Sequence, residues 1–131
     1  MNRTLNPDTI FVPVPNYVAA TVVEPGAHWL HVSGQVGIGP RGHCPANFED
    51  QFAIAMDNVL AVLKDADMGP EDIVKMSFFL IDRSDLPAAR RIRDAKLQGG
   101  YVASTILIVA GFVIPELKVE IDCVAAKTRQ R

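Results

Sequence analysis

Glu120 and Asp122 stand two residues apart in Leu117–Ala125, where apolar and charged residues alternate. Leu117, Val119, Ile121 and Cys123 share one side, and Lys118, Glu120 and Asp122 share the other, as in a strand with one buried face. At ~3.3 Å per residue the two carboxylates lie about 7 Å apart. A carboxylate in a closed cleft can orient or deprotonate a water; on an open sheet the same residues form a salt-bridged face with Lys118. Ser33, Gly34 and Gln35 follow an apolar strand and offer hydroxyl, backbone and amide donors to a small polar ligand, or simply end the strand at a glycine turn. Arg90, Arg91 and Arg93 could clamp a carboxylate, because a guanidinium matches it with two parallel hydrogen bonds, or could form the solvated face of a helix. The Tyr17 phenol could bind a ligand or rest at the edge of the core.

Other chemistries find no support. His28, His31 and His43 make no Ser–His–Asp or Cys–His pattern. Cys44 beside His43 lacks a second ligand pair at metal spacing, and Cys123 is a small apolar-face residue. The glycines of Gly37-Ile38-Gly39 do not open a helix as a phosphate loop would. A formal net charge of −2 gives no support to nucleic-acid or membrane-surface binding. No apolar run reaches the roughly 20 residues of a membrane span, and residues 1–13 lack a signal-peptide core. The expectation is a cytoplasmic protein.

The elements that must position these groups follow from periodicity. The length of 131 residues predicts one domain. Phe11, Val12 and Val14 hint at a first strand that Pro13 and Pro15 confine to an edge or break. Tyr17–Val23 and Trp29–Ser33 predict a hairpin about Pro25-Gly26. Asn47 predicts a helix cap, followed by apolar residues at helical spacing from Phe48 to Ala66 and a stop at Gly69-Pro70. Ile73–Ile81 predicts a long strand. A second helix opens at Ser84 or Asp85 and carries Leu86, Ala89, Ile92 and Leu97. Ile106–Ala110 is apolar without a break and predicts a strand covered on both faces. The order β-β-β-α-β-α-β-β predicts an α+β domain, one six-stranded mixed sheet with two helices on one face. Its other face would be bare and apolar, which predicts a symmetric homo-oligomer packed through it.

Several segments, in order, resemble the RidA family, also called YjgF-like or endoribonuclease L-PSP, over nearly the whole chain. They are Tyr17, Val32-Ser33-Gly34-Gln35, Gln51 with Asn58-Val59-Leu60, Asp72-Ile73-Val74-Lys75, Phe79-Leu80-Ile81-Asp82 and Val119-Glu120-Ile121-Asp122. The resemblance implies a chorismate-mutase-like fold and a homotrimer with sites between subunits. It also implies cofactor-free hydrolysis of enamine or imine intermediates such as 2-aminoacrylate. There a glutamate serves water, an arginine holds the substrate carboxylate, and tyrosine and backbone groups shape the pocket. Glu120 takes the glutamate position. The family's P-A-R-S-T falls on Val102-Ala103-Ser104-Thr105-Ile106, which puts Ser104 where the arginine belongs, and no arginine occurs between Arg93 and Arg129. The family's asparagine falls on Arg90, and Ile106 or Leu107 stands where many members have a cysteine. The resemblance therefore implies either a deaminase whose substrate is shifted, with Arg90, Ser104 and Thr105 in its pocket, or a ligand-binding trimer without catalysis. Ribonuclease activity ranks last, for want of a basic stripe or base-stacking platform.

Overall fold

A computed structural model describes residues 2–14 and 17–128. Six strands and two α-helices follow one another as β1 (Arg3–Leu5), β2 (Ala20–Val22), β3 (Ala27–Val36), α1 (Phe48–Asp65), β4 (Ile73–Leu80), α2 (Leu86–Lys96), β5 (Ala103–Ile108) and β6 (Val119–Thr128). The architecture is the expected α+β arrangement, a mixed sheet with both helices on one face. Its hydrogen bonding falls into two parts, a four-stranded ladder β3-β6-β4-β5 and a ribbon β1-β2. β6 is antiparallel to both β3 and β4, and β5 runs parallel to β4.

The helices form where the sequence supplies both a cap and an apolar stripe. The Asn47 side chain accepts the Asp50 N–H at 2.8 Å, and Glu49 and Asp50 complement the positive helix end. Phe52, Ala55, Met56, Val59 and Leu63 are wholly buried on the inward face. Phe52 stacks between Phe48 and Phe78 at centroid distances of 5.5 and 5.9 Å. The helix ends at Asp65, and Asp67 turns left-handed at φ 58° before Gly69. Ahead of α2, Asp82 accepts Ser84 N–H at 2.9 Å; Asp85 stands at the N-cap position without a side-chain capping bond, and Pro87 falls in the first turn. The Ser84 hydrogen bonds, backbone first, hold the Asp82 carboxyl below its usual range.

Three strand expectations change. Residues 11–13 are irregular, with Phe11 82% exposed, because Pro13 has no N–H for a ladder; Pro15 lies outside the described residues. The first strand is Arg3–Leu5 instead. Tyr17–Val23 shrinks to Ala20–Val22 and pairs with β1, not with β3. Asn6 explains the choice. Its Nδ2 donates to Tyr17 O and its Oδ1 accepts Ala19 N–H, both at 2.7 Å, so this segment's backbone is taken up by the N-terminal residues. The turn at Gly26, with φ 84°, still forms. Finally, β5 spans Ala103–Ile108 at the edge of the ladder, ending short of Ala110; the cover expected on its second face would come from another copy. Leu107 and Ile108 are 50% and 38% exposed.

The bare sheet face is now defined. Leu30 and Val32 pack toward the helices, whereas Trp29 and His31 are exposed with rings 6.5 Å apart. On β6 the fully buried Val119 and Ile121 point to the core, which sends Glu120 and Asp122 to the other face. Among the described residues no helix is long and apolar enough to cross a membrane.

Candidate functional site

Glu120 is positioned by a bulge. Val32 pairs with Cys123 but Gln35 pairs with Ile121, so β3 carries one extra residue at Ser33-Gly34. The bulge sets Val36 opposite Glu120 and brings the carboxylate across the Gly34 backbone. A Cβ on Gly34 would stand 2.5 Å from Glu120 Oε2, so glycine is what lets the carboxylate lie there. Ser33 and Gly34 are exposed, and the Gln35 amide folds back to donate to Ser33 O at 3.2 Å.

Two amides on α1, one buried and one partly so, hold this strand pair in place. Gln51 is wholly buried; its Nε2 donates to Pro45 O and Glu116 O at 2.8 and 3.0 Å. Its Oε1 accepts the Lys118 N–H at 2.8 Å. Asn58 Nδ2, two turns along the same face, donates to Val36 O and Ile38 O at 3.2 and 3.3 Å. The end of β3 and the start of β6, which carry Gly34 and Glu120, are thereby tied to one helix.

A second group gathers at the β5 edge. Tyr17, Lys75, Ala103, Ser104 and Thr105 line an open cleft of about 300 Å³. Tyr17 and Ser104 also line a cavity of about 40 Å³ with Val18, Arg93, Asp94 and Tyr101. Thr105 stands in register with Ser77, itself opposite Asp122, and so lies on the Glu120 side of the sheet. Ser104 pairs with core-facing Met76 and lies on the helix side.

The structure thus joins Tyr17 with Ser104 and Thr105, and Gly34 with Glu120, but keeps the two groups apart within one chain. Arg90 is exposed on α2, in the layer opposite Glu120, and lines neither cavity. Sequence reasoning named Arg93 only within the cluster Arg90, Arg91 and Arg93; the structure sets it apart as the member that lines the small cavity. The signal was its spacing, four residues after buried Ala89 and four before buried Leu97. No group of three or more possible metal-ligating side chains occurs among the described residues. Burial, and secondarily Asp122, pushes the Cys123 thiol up to about 11, as befits a core residue.

Residues 9–127 match the family model described as Endoribonuclease L-PSP. The chain belongs to this family, the RidA/YjgF-like proteins. A RutC family protein of Aquifex aeolicus is 30% identical over 118 residues, covering 88% of this chain and 92% of that protein. TdcF of Escherichia coli K12, named as a candidate reactive intermediate deaminase, is 28% identical over 103 residues, covering 76% of this chain and 79% of that protein. Its crystal structure with bound serine has a TM-score of 0.72 at 27% identity, covering 88% of this chain and 91% of that one. The Rid-family protein YyfB from Yersinia pestis shares the fold, with a TM-score of 0.85 at 24% identity and coverage of 96% and 98%.

Proposed function

We propose that this RidA-family protein is a cytoplasmic homotrimer that hydrolyses a small enamine, imine or related electrophile to a carbonyl product and ammonia, without a cofactor, at clefts between its copies. The observation that carries the reading is the Glu120 carboxylate, seated over Gly34 on a sheet face that neither helix of its own chain covers. Glu120 directs the attacking water. The Ser33–Gln35 segment and Tyr17 shape the pocket, with Ser104 and Thr105 from the β5 edge. Because Glu120 and Ser104 lie on opposite sides of one sheet, a pocket touching both draws on two copies. Arg90 reaches such a pocket only from a neighbouring copy.

The substrate differs from 2-aminoacrylate in this reading. A carboxylate buried beside Glu120 without its strand arginine would lack a counterion at that position, at a cost of several kcal/mol, and the Ser104 hydroxyl returns only ~1 kcal/mol. That same replacement favours the alternative, a small-ligand-binding trimer without turnover. The deciding experiment is ammonia release from enzymatically generated 2-aminoacrylate and from larger imines. The expected result is turnover on the larger imines that falls by about 10²–10⁴ in Glu120→Gln. A rate no higher than buffer, or one unmoved by Glu120→Gln, leaves the binding reading. Light scattering is expected to give a trimer, and a stable monomer at micromolar concentration removes both.

A further inference from the structure

Arg93 occupies a place that helix packing gives to an apolar residue. It stands in line with Ala89 and Leu97, which are 2% and 3% exposed, on the face of α2 turned to the sheet. Its own side chain is 22% exposed. A charge held there costs stability unless something offsets it. Nε bonds Asp94 Oδ1 at 3.0 Å; Nη1 and Nη2 make no bond to the described residues and are open to solvent, since no buried side-chain nitrogen or oxygen among those residues lacks a partner. One edge of the guanidinium is therefore engaged, and the Nη1–Nη2 edge retains the two parallel donors that suit a second carboxylate.

The surroundings define what could bind. The cavity that Arg93 shares with Tyr17 and Ser104 measures about 40 Å³, room for a head group and little more. Through Tyr17 and Ser104 it adjoins the cleft of about 300 Å³, where the rest of a short molecule would lie. A serine on β5 leaves the space before it open, and a guanidinium from α2 lines that same space.

We propose that Arg93, through the guanidinium edge turned away from Asp94, supplies a positive charge to this chain's ligand site beyond that of Lys75 in the adjoining cleft, and that its cavity receives the carboxylate of a short organic acid or imino acid, with the Tyr17 and Ser104 hydroxyls as further hydrogen-bonding groups. This rests on reading the β5 edge as part of the ligand pocket, and it restores carboxylate substrates by a route other than the strand arginine. Arg93 is a binding residue here; the water remains with Glu120.

Titration calorimetry on the full chain at low salt tests it with three probes: 2-oxobutanoate, its uncharged counterpart butanone, and inorganic phosphate. The expected outcome is 2-oxobutanoate binding that weakens at least tenfold in Arg93→Gln, recovers partly in Arg93→Lys, and is unchanged in Arg91→Gln, whose guanidinium is already paired with Glu49 at 2.8 Å. Equal affinity in Arg93→Gln, no binding of 2-oxobutanoate, or butanone binding as tightly overturns it. Phosphate binding as tightly as 2-oxobutanoate through Arg93 overturns the carboxylate assignment. Should Arg93→Gln not fold, nitrogen-15 spectra of the arginine side chains in the wild-type chain decide. One guanidinium must shift with 2-oxobutanoate and none with butanone; no shift overturns the proposal. Absent ammonia release with Arg93-dependent binding intact removes only the deaminase reading. Turnover whose KM ignores Arg93→Gln removes only this inference.

Discussion

Gln51 on α1 and Arg93 on α2 pose the same problem with opposite solutions. Each is a polar side chain on the inward face of a helix. Gln51 is closed by its own chain, with both donors and its acceptor used by backbone groups. Arg93 has one short bond to its sequence neighbour and a cavity before it. The difference separates two uses of buried polarity. A side chain whose hydrogen bonds are all made internally fixes loops; one whose outer donors open onto a solvent-filled cavity can serve a molecule from outside.

The sharpest way to break this contrast is Gln51→Leu. It strands two carbonyls and one amide, each costing about 1–3 kcal/mol when left unpaired. We expect a loss of about 3–5 kcal/mol and a fall in Tm on the order of 10 °C, read by thermal or urea unfolding; a change below about 1 kcal/mol would show that the amide does not tie the loops. Next is Gly34→Ala. The obstructing atom is the movable end of Glu120, so unfolding should barely change while the carboxylate is displaced. Turnover, if the deaminase reading holds, should drop about 100-fold. Arg93→Met should have a smaller effect on unfolding, within about 1 kcal/mol of wild type and on either side of it, because an apolar chain of similar length suits an inward position. A loss comparable to Gln51→Leu would mean that Arg93 is structural after all.

The smallest effect at neutral pH concerns Cys123. Its thiol titrates near 9.0 when exposed and near 11 in the fold. The unfolded chain therefore loses its proton first, so stability is unaffected below about pH 9 and declines as pH rises toward 11. Urea midpoints across that window check the sign, with Cys123→Ala as the reference that removes the decline. In native protein a thiol reagent should modify Cys44 well before Cys123.

Local pattern made much of this legible. α1 announced itself through Asn47 and its apolar spacing, and β6 through strict alternation that also placed Glu120 opposite the core. What failed was non-local. Nothing in Arg3-Thr4-Leu5 marks a strand; it becomes one because Asn6 captures the backbone of Tyr17 and Ala19. The apolar run at Ile106–Ala110 marked a strand, but pairing with β4 ends at Ile108, and the expected cover of its second face lies beyond one chain. Candidate site residues were chosen singly, through type and family resemblance. Their division between two sides of the sheet depends on register, and register depends on the bulge at Ser33-Gly34.

The grip of Asn6 on Tyr17 and Ala19 has a practical reach. Tyr17 forms a wall of both the small cavity and the cleft, so that wall is braced by a side chain just after β1. Losing that one amide, as in Asn6→Ala, would loosen ligand capture from a distance while leaving the helical layer sound. Wild type and Asn6→Ala should then disagree about affinity and agree about melting.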